Sequence, residues 1–193
     1  YDKEVRKYIE IFTHTRKKEF EKIIGLGDLY FPVFEEYLDK YDLPFELKYL
    51  PVVESSLNPL AVSKSGAVGL WQFLYRAGDL FDLEMNSFID ERKDIYKSTD
   101  AACRYLKYLN TIFNDWQLVL AAYNSGPGEI RDAIQKSGGK INFDELKPYL
   151  PSQALKYVPA FMAANYVMKY HEEHGIKPQL PPVDYQSLDT IFI

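Results

Sequence analysis

The stretch PVVESSLNPLAVSKSGAVGLWQF, Pro51 to Phe73, sets one carboxyl, Glu54, directly after an apolar run and follows it with a loop of small residues. Leu47, Leu50 and Glu54 stand at i, i+3 and i+7, so on a helix they share one face. The acid then points where the leucines point, toward the interior. Burial disfavours an ionised carboxyl and raises its pKa. A carboxylic acid that keeps its proton near neutral pH is what a general acid requires. Pro51 removes one backbone bond and predicts a kink just before Glu54, aiming the side chain into a cleft. The residues alone leave a second reading open: a partly exposed glutamate at a helix end, capping or paired with a lysine.

The loop sharpens the first reading. Ser55 and Ser56 offer hydroxyls to a neighbouring carboxyl or cap the chain. Gly66 and Gly69 permit backbone positions that a side chain would block. Gln72 then presents a donor and an acceptor between Trp71 and Phe73. An amide beside aromatic rings suits an N-acetyl sugar, which has an amide and an apolar ring face. Equally, Trp71 and Phe73 could be core anchors with Gln72 at the surface.

Outward from this stretch, nearly every segment reads as helix. Val5, Tyr8, Ile9, Phe12, Phe20, Ile23 and Ile24 recur at roughly helical spacing, and Gly25 with Gly27 predicts a break. Asp28 predicts the cap of a second helix that buries Phe31, Phe34, Tyr37 and Leu38. Pro44 suits the first turn of a third helix, through Leu50. Residues 55–67 read as loop, and a helix is expected from about Val68 to Phe81. Residues 82–97 read as charged and irregular. Ser98 or Thr99 predicts the cap of a helix that carries Ala102, Tyr105, Leu106, Leu109, Ile112 and Phe113 on one stripe. Trp116 to Asn124 is apolar almost all round, which predicts a central, buried helix. Ser125-Gly126-Pro127-Gly128 reads as a stop followed by a start. A short helix over 129–136 and a last helix from Ser152 to Gly175 follow, and then a tail with Pro178, Pro181 and Pro182. The only candidate strand is a short piece in that tail, and no clean internal repeat is visible.

Composition narrows the function classes. A length of 193 residues fits one domain, or one domain with extensions, and 47% hydrophobic residues allow a sizeable core. The net charge of −5 argues against a nucleic-acid partner, which needs a basic footprint. No apolar stretch approaches the roughly 20 residues of a membrane span. The single Cys103 has no partner for an internal disulfide and is expected to pack. His14, His171 and His174 do not form a metal-ligand pattern, so no metal and no cofactor are expected. Phosphate-loop, dinucleotide and Ser-His-Asp patterns are absent.

Three segments together carry a family resemblance. They are ESSLNPLAVSKSGAVG from Glu54, GLWQF from Gly69 to Phe73, and AAYNSGPG from Ala121 to Gly128. YVPAFMAANYVM, Tyr157 to Met168, is a weaker fourth. In this order and at these separations the sequence resembles the lytic transglycosylases of the soluble-lytic type, and most closely their membrane-bound type D subgroup. The resemblance covers about residues 43–175. Two departures stand out: Leu74 with Ala77-Gly78 where the family often has Met and a Thr-Gly pair, and Gln153-Ala154-Leu155 where it usually has an acidic residue, Thr and Arg.

The resemblance implies an all-α, lysozyme-like catalytic domain over residues 43–177. Residues 1–42 would form a helical extension packed on it, and 178–193 a Pro-rich extended tail. It implies cleavage of the β-1,4 bond between N-acetylmuramic acid and N-acetylglucosamine in peptidoglycan, with a 1,6-anhydro product. Glu54 would act first as acid and then as base, with the muramic N-acetyl group assisting in place of the usual second carboxylate. Ser63 and Gln72 would contact sugar, Tyr123 would hydrogen-bond or orient Glu54, Asn124 would contact substrate, and Tyr157 would close the site. The expected partner is the peptidoglycan glycan strand. The expected location is the periplasm or the outer membrane, with any signal or lipid anchor outside this chain. Two alternatives remain: a hydrolytic muramidase, for which Asp79, Asp82 and Glu84 are the candidate second acids, and a peptidoglycan-binding module of the same fold.

Overall fold

The computed structural model describes residues 2–180. The expected tail therefore lies outside the described residues from 181 onward, as does the short strand expected within it. Among the described residues the regular structure is helical: α1 (Lys3–Glu10), α2 (Lys17–Lys40), α3 (Leu50–Ser55), α4 (Tyr75–Leu80), α5 (Ile95–Phe113), α6 (Trp116–Ser125), α7 (Pro127–Lys136), α8 (Phe143–Leu146) and α9 (Ser152–Lys169). Extended pairing is limited to isolated bridges, Val62 with Val68, Val68 with Phe73 and Met85 with Asp90.

Helix α6 forms the centre, as its all-round apolarity predicts. Leu118, Val119, Ala121 and Ala122 are fully buried. It packs against α5 on one side and α9 on another, and α1 covers α9 from outside. Asp115 caps α6, accepting from the Leu118 N–H at 2.9 Å. Gly126, at φ +89°, then ends α6, and Pro127 starts α7 in its first turn. The stop-and-start reading of this segment matches the observed backbone.

The boundaries expected near the N-terminus shift. Gly25 and Gly27 do not break a helix; α2 runs through both, so Asp28 caps nothing. The interruption lies earlier, at a π turn over Ile11–Thr15. The glycines serve packing instead. A Cβ on Gly25 would lie 1.9 Å from the Gln179 carbonyl oxygen, because the chain after α9 crosses α2 there. The Gln179 N–H donates to the Glu21 carbonyl at 2.7 Å across this contact. Helix propensity disfavours glycine by only about 1 kcal/mol, which close packing of two backbones readily offsets.

Three further boundaries differ. Phe45–Tyr49 is a 3-10 turn, and α3 starts only at Leu50, so Pro51 sits in a first turn and kinks nothing. Helix α5 starts at Ile95, capped by Asp94, which accepts from the Lys97 N–H at 2.8 Å. Ser98 and Thr99, expected as caps, are fully buried inside it, and their hydroxyls donate to the carbonyls of Asp94 and Ile95. The last helix stops at Lys169, followed by a 3-10 turn at Glu172–His174 that Gly175 closes in a left-handed conformation.

The largest difference concerns residues 68–74, expected as helix. They form a tight irregular loop. Val68 and Phe73 exchange backbone hydrogen bonds at 3.0 and 3.1 Å, with Gly69 at φ +84° between them. Packing outweighs local propensity here. Trp71 is fully buried, its indole N–H donates to Thr99 Oγ1 at 3.0 Å, and its ring meets Phe34 edge-on at 5.2 Å. A Cβ on Gly69 would lie 1.8 Å from the Arg92 carbonyl oxygen, whereas Gly66, at φ +82°, faces open space. Gly69→Ala should therefore destabilise the fold by roughly 2–5 kcal/mol, from left-handed strain plus overpacking. Gly66→Ala should cost only the strain, about 1–2 kcal/mol. Urea unfolding of both variants beside the parent checks the difference.

Candidate active site

Glu54 lies in the last turn of α3. Its position depends on Ser55, whose single hydroxyl proton is shared between the Pro51 carbonyl at 3.0 Å and the Leu70 carbonyl at 2.9 Å. The second bond ties the helix end to the irregular loop. The Ser55 hydroxyl, expected to serve the carboxyl, thus serves the backbone instead. Ser56 reaches away, to Glu19 Oε1 at 2.8 Å.

Glu54 as a residue is half-buried, and protein surrounds its carboxyl densely. The Tyr157 hydroxyl, from α9, donates to its Oε1 at 2.5 Å. Burial pushes the Glu54 pKa up to about 7, and the Tyr157 hydrogen bond opposes that rise in part. Burial dominates because water can no longer stabilise the charge. With Oε1 accepting from Tyr157, the proton of the neutral acid belongs on Oε2.

Tyr123, from α6, makes a different contact from the one expected. Its hydroxyl donates to the Trp71 carbonyl at 2.8 Å. Its pKa is raised well above the ordinary value, by burial first and then by the nearby Glu54 charge, so it stands close to the acid without bonding it. Its ring continues a ladder of tilted aromatics, Phe81 to Tyr105 at 5.1 Å and Tyr105 to Tyr123 at 5.4 Å. The direct hydroxyl partner of Glu54 is Tyr157, which is buried and whose own pKa burial and the Glu54 charge drive upward.

The remaining expected residues fall around the same loop. Gln72 holds a left-handed backbone, φ 52°, and its Nε2 donates to the Gly69 carbonyl at 2.9 Å and the Ala61 carbonyl at 3.3 Å. Ser63 Oγ accepts from the Ala67 N–H at 3.0 Å and lies 3.0 Å from Ser65 Oγ. Both side chains brace the loop. Asn124 follows Tyr123 at the end of α6, and its buried Oδ1 finds no hydrogen-bond partner among the described residues. Trp71 and Phe73 are core anchors, at 0% and 3% exposure, so neither ring offers a stacking platform.

One contributor lay in the segment read as irregular and charged. Arg92 grips Asp90 through Nε and Nη2, both at 2.8 Å, and its Nη1 donates to the carbonyls of Gly66 at 3.2 Å and Phe73 at 3.3 Å. The guanidinium holds the Asp90 carboxyl below its usual range. It thereby staples the two ends of the Gln72 loop. The i, i+2 spacing of Asp90 and Arg92 is too common to signal this from sequence. Among the described residues, no group of His, Cys, Asp and Glu is arranged to hold a metal ion. Among the same residues, no helix is long and apolar enough to cross a membrane.

These features can be set beside known proteins. The family model described as the transglycosylase SLT domain matches residues 32–145. The chain is 37% identical over 148 residues to the membrane-bound lytic murein transglycosylase D of Escherichia coli (strain K12), covering 75% of this chain and 32% of that protein. It is 36% identical over 115 residues to a putative tributyltin chloride resistance protein of Alteromonas sp. (strain M-1), covering 59% and 55%. The crystal structure of the 70 kDa soluble lytic transglycosylase of Escherichia coli superposes with a TM-score of 0.62 at 26% identity, over 74% of this chain and 24% of that one. The chain thus spans about a third of the first relative and about half of the second. The fold is the all-α, lysozyme-like one that the sequence motifs imply. The chain belongs to the transglycosylase SLT domain family.

Proposed function

We propose that this chain is the catalytic domain of a lytic murein transglycosylase. It would cut the β-1,4 bond between N-acetylmuramic acid and N-acetylglucosamine and release a 1,6-anhydromuramic end. The observation that carries this reading is a lone carboxyl, Glu54, kept protonated near neutral pH by burial and oriented by the Tyr157 hydroxyl. Glu54 donates its Oε2 proton to the glycosidic oxygen as the C1–O bond breaks. The muramic N-acetyl oxygen closes on C1 and spreads the positive charge into an oxazolinium-type ring. Glu54, now a carboxylate that Tyr157 stabilises, takes the proton of the muramic C6 hydroxyl. O6 bonds to C1, the N-acetyl group is released, and Glu54 regains its starting state. No water is consumed.

A hydrolytic muramidase needs a second carboxylate to activate water. Of the candidates, Asp79, Asp82 and Glu84 are exposed. Asp82 is paired with Arg104 at 2.9 Å and Glu84 accepts from Asn86. Burial and the Tyr157 hydroxyl are the influences on Glu54, and no carboxylate is among them. This favours the anhydro-forming route. Asn124 Oδ1, buried and unpartnered, supports a contact with a substrate amide or hydroxyl. Gln72 and Ser63 complete the proposed sugar-facing loop. The substrate places the protein in the periplasm or at the outer membrane, and an anchor would belong to a longer protein.

Glu54→Gln should lower the release of soluble fragments from purified peptidoglycan by about 10³-fold or more, and mass spectrometry of the parent digest should give anhydro ends rather than reducing ends. Parent-like release by the variant would refute the assignment. Activity needs the protonated form, so it should fall as pH rises through about 7. Tyr157→Phe removes the bond that lowers the Glu54 pKa, so the alkaline limb of the pH–rate profile should move upward while turnover falls about 10–100-fold.

Linkage gives a stability test. The folded protein binds the Glu54 proton more tightly than the unfolded chain, so its contribution is retained below the ordinary value of 4.5 and lost as pH rises to about 7. Above that range the buried charge destabilises the fold by on the order of 3 kcal/mol. Glu54→Gln should therefore melt higher than the parent at about pH 8, with a gain that shrinks toward about pH 5, as calorimetry can check.

A further inference from the structure

Directly after Glu54 and Ser55, Ser56 and Leu57 both adopt left-handed backbone conformations, with φ of 54° and 58°. Neither is glycine, so both are strained, and such positions persist only where the surroundings over-determine them. Three anchors do so. Leu57 is fully buried. Ser55 is bonded to the Leu70 carbonyl. Ser56 Oγ donates to Glu19 Oε1, a residue of α2 lying 37 positions earlier in the chain.

Glu19 is itself fixed in place. Arg16 Nε and Nη2 donate to its two carboxylate oxygens at 2.7 and 2.6 Å. The Arg16 guanidinium also lies over the rings of Phe12 and Phe20, at 5.4 and 6.0 Å from their centroids. Both rings are buried. Arg16 first, and then the Ser56 hydroxyl, hold the Glu19 carboxyl below its usual range. Arg16 and Glu19 both lie outside the residues that the family model matches.

We propose that Glu19, oriented by Arg16, is a positioning residue for Glu54. It acts through Ser56 to hold the left-handed turn that directly follows the acid, so the N-terminal helices are a working part of the site. The inference rests on the assignment of Glu54 as the acid and base. The titratable groups that face Glu54 are the hydroxyls of Tyr157 from α9 and Tyr123 from α6. A looser turn would let water reach the carboxyl and lower its pKa, the opposite of the shift that losing Tyr157 produces.

The test measures kcat, KM, the pH–rate profile and thermal unfolding on soluble glycan strands for Glu19→Ala, Ser56→Ala, their double variant, Glu19→Gln and Glu54→Gln. Glu19→Ala and Ser56→Ala should each lower kcat about 5–20-fold with KM within about twofold of the parent, and should move the alkaline limb to lower pH. The double variant should be no slower than the slower single, because both remove one bond. Glu19→Gln keeps an oxygen that accepts from Ser56 and should recover most of the rate. If Glu54→Gln is inactive while Glu19→Ala has the parent's kcat and alkaline limb, the positioning role falls and the assignment of Glu54 stands. A lower melting temperature with an unmoved limb, or losses that multiply in the double variant, also overturns it. An active Glu54→Gln overturns the assignment and this inference together.

Discussion

A carboxyl group keeps its proton near neutral pH only where the protein around it stops water from stabilising its charge. Glu54 occupies such a place while remaining only half-buried as a residue, and much of the architecture serves those two opposed demands. Helix α3 is only six residues long, so the acid lies at its last turn, beside a loop rather than inside a packed face. The cost is a charge held in a poor solvent whenever the proton leaves. The Tyr157 hydroxyl offsets part of it by donating to the same oxygen.

The loop beside the acid is held from several sides. Trp71 fills the core, with its indole N–H on Thr99, its carbonyl accepting from Tyr123 and its ring against Phe34. Arg92 closes the loop from outside through the carbonyls of Gly66 and Phe73. The result is a rigid wall built from α2, α5, α6 and the segment before α5. A site of this kind needs such support, because small displacements of a proton donor reduce its effectiveness steeply.

Several elements were legible from local pattern because their signals are local. The apolar run of α6 can only be buried, and Gly126-Pro127 can only end one helix and begin another. The glycines of α2 were not legible in the same way. A glycine that breaks a helix and one that admits a crossing chain look identical in sequence, and the difference is whether the Gln179 segment lies against Gly25. The loop at 68–74 reads as helix for a related reason: its apolar residues fit a helical stripe, but Trp71 is drawn to Thr99 and Phe34, which no nearby residue announces.

A helical fold, an acid next to apolar residues, a small-residue loop beside it and the motif order that marks the family could all be read along the chain. These follow from composition and spacing within a few turns of chain. Which tyrosine bonds Glu54 depends on long-range packing. Tyr157 lies 103 positions away and Tyr123 is nearer in sequence, yet the packing of α9 puts one hydroxyl on the acid and that of α6 sends the other to Trp71. A hydrogen bond needs a donor within about 3 Å and correctly aimed, and that is fixed by how helices far apart in the chain come together.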